Sequence, residues 1–157
     1  MIVLLTSYLS YDNILLLRHW SQHAQGKTMK YASTKAIQTF LLQCKQIIAS
    51  KDIIPSTLVV IRSEKNKKTM LELDFTDKQL VEVLEELALE DYIEGPCNDR
   101  DYYGTIWIFG KRIKNREVYI KIKVSELDER GNKIATLICL SFHFSEKPLT
   151  YPYREEE

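Results

Sequence analysis

Net charge is the first thing this chain lacks: 22 Lys and Arg balance 22 Asp and Glu over 157 residues. A nucleic-acid or anionic-membrane role therefore cannot be read from bulk electrostatics, because it needs positive charge gathered locally. Cysteines are few. Cys44, Cys97 and Cys139 are odd in number, far apart and without CxxC spacing, which argues against a disulfide framework or a zinc knuckle and fits a reducing, cytoplasmic setting. Long hydrophobic runs are missing too. The apolar stretches Met1 to Leu9 and Ile14 to Leu17 are interrupted at Tyr11, Asp12 and Asn13, whereas a bilayer span needs about 20 apolar residues. No basic residue precedes them, as a signal peptide requires, so neither a membrane role nor a leader is expected.

What remains is a chain with 45% hydrophobic residues, enough to bury the core of one domain of ordinary size. Residues 1–28 read as an amino-terminal appendage or a start-site extension, with Met29 as a second candidate start, and residues 29–157 read as the single working domain. His19 and His23 are four apart, as a helical metal pair would be, but no carboxylate or cysteine of matching spacing accompanies them. No metal and no cofactor is expected.

From Ser33 the spacing of Ile37, Phe40, Leu41, Cys44, Ile47 and Ile48 predicts a helix of about five turns, stopped by Pro55. Thr57 to Ile61 reads as a strand. The charged run Glu64 to Lys68 reads as a connector, followed by a short helix to Asp74. Thr76 to Gln79 has the form of a capping box, and Leu80, Val81, Leu84 and Leu87 continue as a second long helix. After Asp99 the period changes to two, predicting strands at Thr105 to Phe109, Glu117 to Val124 and Thr136 to Phe144. The first two would be joined by a loop over Gly110 to Arg116, the last two by a turn centred on Asp128 to Lys133. Strict alternation in the last strand would set Ile138, Leu140, Phe142 and Phe144 on one face and Leu137, Cys139, Ser141 and His143 on the other. The fold class is α+β, with amino-terminal helices packed on one face of a small, mostly antiparallel sheet.

If the last two strands are neighbours, Tyr119, Lys121, Ser141 and His143 share the opposite face. A phenol, an ammonium, a hydroxyl and an imidazole suit RNA cleavage through the 2′-hydroxyl. That reaction needs a base, an acid for the leaving 5′-oxygen and a cation for the charge developing on phosphate. Imidazole is the side chain that ordinarily titrates between roughly pH 5 and 8 and serves either proton-transfer role. A solvated sheet face of the same composition is the plain alternative. Charge by segment favours the chemical reading. Between Thr105 and Val124 six basic residues face Glu117 alone, a local net of +5, while Leu71 to Asp99 carries ten acids against Lys78. Lys111, Arg112 and Lys123 are expected to contact phosphates, and Trp107, with Tyr102, Tyr103 and Phe109 near it, to stack on unpaired bases. The positive surface would surround Lys111, Arg112, Lys121 and Lys123, with the acids of residues 72 to 99 mostly elsewhere.

The segments Leu73-Asp-Phe-Thr76, Leu87 to Pro96, Trp107-Ile-Phe-Gly-Lys111, Val118-Tyr-Ile-Lys-Ile122 and Ile138-Cys-Leu-Ser-Phe-His143 together resemble the MqsR family of bacterial toxins. Their order and spacing match from about Met29 to Tyr153, including the Pro and aromatic tail at Pro148, Tyr151, Pro152 and Tyr153. The resemblance implies a RelE-like fold and a metal-independent mRNA endoribonuclease. It also implies a cognate antitoxin that holds the enzyme inactive, with a zinc-binding part and a helix-turn-helix part. It carries the family's catalytic tyrosine, lysine and late basic residue onto Tyr119, Lys121 and His143. Two positions depart: Glu94 stands where the family has a lysine, and Ile108 where it has a glutamine. Glu94 is then a candidate base, with Lys111 as an alternative source of the missing charge, and Ser141 a candidate RNA contact. Asp91, Tyr92, Gly95 and Pro96 read as structural, with Gly-Pro forcing a turn. The alternatives from other classes are an RNA- or partner-binding module of the same fold without chemistry, and an interaction protein using its acidic helix.

Overall fold

A helix starts most readily where a side-chain oxygen can take up the unpaired amides of its first turn. In the computed structural model, which describes residues 30–50, 57–99, 104–126 and 131–155, each of three helices begins at such a residue. The chain divides into two units, Met1–Lys30 and Tyr31–Glu157, and the fold described is that of the second. The expectations for residues 1–28, His19 and His23 included, lie outside the described residues, as do Pro55, Tyr102 and Tyr103.

Helix α1 (Thr34–Ala49) opens at Ser33, whose hydroxyl accepts from the Ala36 amide at 3.2 Å. It buries the expected stripe from Ile37 to Ile48 and closes at Ser50 before Pro55 is reached. Strand β1 (Leu58–Val60) follows. Helix α2 (Glu64–Leu73) starts earlier than the sequence suggests: Ser63 caps it through the Asn66 amide, and the charged run forms its opening turns. Its inward residues are Asn66, Thr69, Met70 and Leu73, so half the buried stripe is polar and escapes a hydrophobic pattern. Helix α3 (Asp77–Glu85) has the expected capping box, in which Gln79 Oε1 accepts from the Thr76 amide at 2.8 Å and Thr76 Oγ1 from the Gln79 amide at 3.4 Å.

Strands β2 (Tyr92–Asn98), β3 (Thr105–Ile113), β4 (Arg116–Ser125) and β5 (Thr136–Phe144) join β1 in one sheet of order β1-β5-β4-β3-β2. The β1–β5 pair is parallel and the rest are antiparallel, so the class is α+β with a mixed five-stranded sheet. One face is the core, where Phe40 of α1 stacks on Trp107 at 4.5 Å and packs with Phe109, and Ile120, Ile122 and Phe142 are fully buried.

Three sequence expectations need correction. Gly95-Pro96 does not turn the chain; it lies inside β2, at the second of two register shifts against β3, between Glu94 and Cys97. A side chain at Gly95 would come within 2.9 Å of the Ile106 carbonyl, and its φ of +127° is one that other residues rarely adopt. The loop over Gly110 to Arg116 shrinks to Lys114 and Asn115, with φ of 47° and 63°, a tight hairpin turn that lets both strands run on. Alternation in β5 breaks at Leu140. Lys121 pairs with Ser141 but Ile122 with Cys139, so Leu140 is an inserted residue. Leu137 and Cys139 thereby join Phe142 in the core.

Candidate functional site

The bulge at Leu140 decides which β5 side chains reach the outer face, the one turned away from the helices. It is held by a buried amide. Asn66, 2% exposed, donates from Nδ2 to the Ile61 carbonyl at 2.8 Å and the Leu140 carbonyl at 3.2 Å, and its Oδ1 accepts from the Phe142 amide at 3.0 Å. Thr69 Oγ1 accepts from the Phe144 amide at 3.1 Å. Helix α2 thus supplies, through two side chains, the ladder partners that β1 is too short to give β5. Beyond the bulge, Ser141 stands opposite Lys121 and His143 opposite Tyr119, on the outer face.

The Tyr119 and His143 rings stack at 5.4 Å between centroids, 24° apart. His143 Nδ1 lies 3.0 Å from the Phe144 carbonyl. A carbonyl only accepts, so Nδ1 carries the proton in this contact and Nε2 is the nitrogen left to exchange one. Glu94 is in register with Ile108, which is in register with Lys121, so Glu94, Lys121 and Ser141 lie in one row across four strands. Burial, then the Glu94 carboxylate, then Cys97, push the Tyr119 hydroxyl above the ordinary phenol range, so it is a neutral hydrogen-bond donor. Cys97, opposite Ile106 on the same face, is hydrogen-bonded to Glu94; burial and that carboxylate raise its thiol. Among the described residues, Lys121 and Arg112 meet no carboxylate at ion-pair distance. Also among them, no three His, Cys, Asp or Glu side chains gather as a metal site requires.

Tyr119, Lys121, Ser141, His143 and Glu94 therefore share the outer face, with Arg112 further along it. Four other expected residues do not join them. Trp107 is 8% exposed beneath Phe40, and Phe109 is fully buried, so neither offers a ring to a base. Lys111 points to the helical side, where its ammonium donates to Asp91 at 3.2 Å and to the Glu86 carbonyl at 3.2 Å. Lys123 is 6% exposed and paired with Asp99 at 2.8 Å. A buried lysine with a buried carboxylate is committed to the fold, because breaking the pair strands a charge. The rest of the basic hairpin turn is exposed but engaged as well: Lys114 donates to the Leu73 carbonyl at the end of α2, and Arg116 pairs with Glu72 at 2.7 Å. The expected separation of charges is thus overturned: Lys111, Arg116 and Lys123 are each joined to an acid of residues 72 to 99.

Sequence reasoning missed Cys97, because β2 was not read as a strand, and Asn66, because a polar residue in a charged run gave no sign of burial. It also left the carboxyl-terminal tail without a place. Ser145 and Leu149 bond through their amides to Glu117, and Leu149 and Tyr151 lie over Gly110, where a Cβ would come within 2.6 Å of both. Tyr153 then donates to the Ala32 carbonyl and packs on Tyr92, and Arg154 reaches Asp91 at 3.3 Å. Gly110 and the Pro-aromatic tail are therefore complementary parts of one contact.

Comparison of the chain with family models, with curated proteins and with solved structures finds no match. Among the described residues no helix is long and apolar enough to cross a membrane.

Proposed function

We propose that this chain is a metal-independent endoribonuclease of RelE-like fold, the toxin of a type II toxin-antitoxin pair, cutting mRNA through the 2′-hydroxyl in the cytoplasm. The observation that carries the reading is the cross-strand stack of Tyr119 on His143 beside the Lys121–Ser141 pair. A phosphodiester seated against Lys121 meets an ammonium that offsets the charge gained in the transition state. Tyr119, kept neutral, donates a hydrogen bond to a phosphate oxygen. His143 Nε2 exchanges the proton at one end of the reacting phosphate: the 2′-oxygen bonds to phosphorus as its proton leaves, the bond to the 5′-oxygen breaks, and that oxygen is protonated. Glu94 lies three strand spacings, about 14 Å in backbone, from β5. It therefore suits the far end of the same phosphate and not the proton that His143 handles. A cognate antitoxin, zinc-binding with a helix-turn-helix, belongs to this reading as its partner.

Replacing the imidazole tests the assignment. His143→Ala should lower RNA cleavage by about 10²–10⁴ and abolish growth arrest on expression, with the protein still folded by circular dichroism. Cleavage at the wild-type rate would remove His143 from the site.

The non-catalytic alternative has one observation in its favour: Glu94 puts a carboxylate on the face that would receive phosphate. It predicts salt-sensitive RNA binding by both wild type and His143→Ala, with cleavage by neither.

A further inference from the structure

A groove of about 550 Å³ opens at the end of the sheet between the start of β4, the end of β5 and the tail. A second hollow of about 250 Å³ lies between α2 and β5 and reaches His143. The two share Arg116, Phe144 and Glu146, so they adjoin at those residues and together lead along the surface from His143 to Arg112. The walls of this path bring together cations that are distant in sequence: Lys65 and Lys68 from α2, Arg112 and Arg116 from the hairpin, and Lys147 from the tail.

We propose that this path holds the sugar-phosphate backbone of single-stranded RNA on one side of the scissile bond. The inference rests on the RNA reading of the outer face and names where the strand runs. Two cations are uncommitted: Arg112 and Lys147 meet no carboxylate at ion-pair distance among the described residues. The others are held in exposed pairs, Lys65 with Glu146 at 2.6 Å, Arg116 with Glu72 at 2.7 Å and Lys68 with Glu72 at 3.9 Å. Exposed pairs of this kind contribute little to stability, so a phosphate can take over these cations at little cost. Arg116 also lies over the Phe144 ring, its guanidinium carbon 3.3 Å from the centroid. That gives a planar cationic surface on which a base can stack, as single strands require and acidic peptides do not. The path replaces the one expected over Trp107, Lys111 and Lys123, all of which serve the core.

The test uses a 2′-O-methyl RNA strand, which binds without being cut, and reads the slope of log affinity against log salt. Each lost phosphate contact lowers the slope for a single strand by about 0.7. The Arg112→Gln/Lys147→Gln variant should therefore lose about 1.4 from it, equally for strands of different sequence. Lys35→Gln/Lys45→Gln, the same charge change on exposed positions of α1, should leave the slope at the wild-type value. Wild-type binding that persists unchanged in Arg112→Gln/Lys147→Gln overturns the proposal. So does an equal loss in both variants, which would mark only net charge. Tighter binding of an oligo-aspartate of matched charge would assign the groove to a protein partner and overturn it as well. Because the probe cannot be cut, the outcome is independent of catalysis: wild type that binds it by this pattern yet leaves ordinary RNA intact supports the groove and removes the ribonuclease reading.

Discussion

The chemistry of single side chains here is set by who their neighbours are, not by their position in the sequence. Tyr119 and Cys97 are both raised by burial and by the Glu94 carboxylate, which keeps a phenol and a thiol in their neutral forms beside the proposed phosphate position. A raised thiol exposes its reactive thiolate only at higher pH, so Cys97 should react slowly with iodoacetamide at pH 8. Cys44 and Cys139 are buried and pushed up to about 12 by burial, so they will not obscure the measurement. Glu94→Gln removes the charge that opposes the thiolate and should speed the alkylation of Cys97. An unchanged rate would mean that the carboxylate and thiol do not meet. Lys123 and Asp99 make the opposite case, a pair in which each charge is needed by the other. Lys123→Ala takes the ammonium away from the buried Asp99 carboxylate, and should lower stability by about 3–5 kcal/mol in urea unfolding. A loss below about 1 kcal/mol, the range of exposed pairs, would return Lys123 to the surface where the sequence put it.

Among the elements, those whose pattern is local were legible. The α1 stripe, the Thr76 capping box and the extent of β5 follow from spacing that a helix or strand imposes on its own residues. What was not legible depends on a partner. Ile138, Leu140 and Phe142 satisfy strict alternation as well as Leu137, Cys139 and Phe142 satisfy a bulged register, since all are apolar, and only Asn66 distinguishes the two. Asn66→Ala strips partners from the Leu140 carbonyl and the Phe142 amide, both beside the core. It should cost about 1–3 kcal/mol, with amide exchange at Phe142 accelerated. Unchanged exchange there would show that the amide is not held from α2. The pair Ser141 and His143 was nonetheless placed on the correct face, because both lie on the carboxyl-terminal side of the inserted residue. Strand β2 was hidden for another reason: Gly95-Pro96 carries the composition of a turn, and the tight approach to Ile106 and Trp107 that demands the glycine is visible only in three dimensions.

At the scale of the whole molecule, the zero net charge is not a basic face set against an acidic one. Lys111 with Asp91, Arg116 with Glu72 and Lys123 with Asp99 tie the basic hairpin to acids of residues 72 to 99, so part of the cancellation is the fold's own cross-linking. Among the described basic residues of β3, β4 and the tail, the available positive charge is narrower than segment counting suggested: Lys121 on the outer face, Arg112 further along it, and Lys147 in the tail. Of these, Lys121 stands next to the Tyr119–His143 stack, and the ribonuclease reading depends on it. The direct test is the chemistry of the cut ends. Purified protein incubated with an unstructured RNA in EDTA should yield fragments ending in 2′,3′-cyclic phosphate and leave the matching DNA intact. No cleavage, cleavage that EDTA abolishes, or fragments ending in a 3′-hydroxyl would contradict the account.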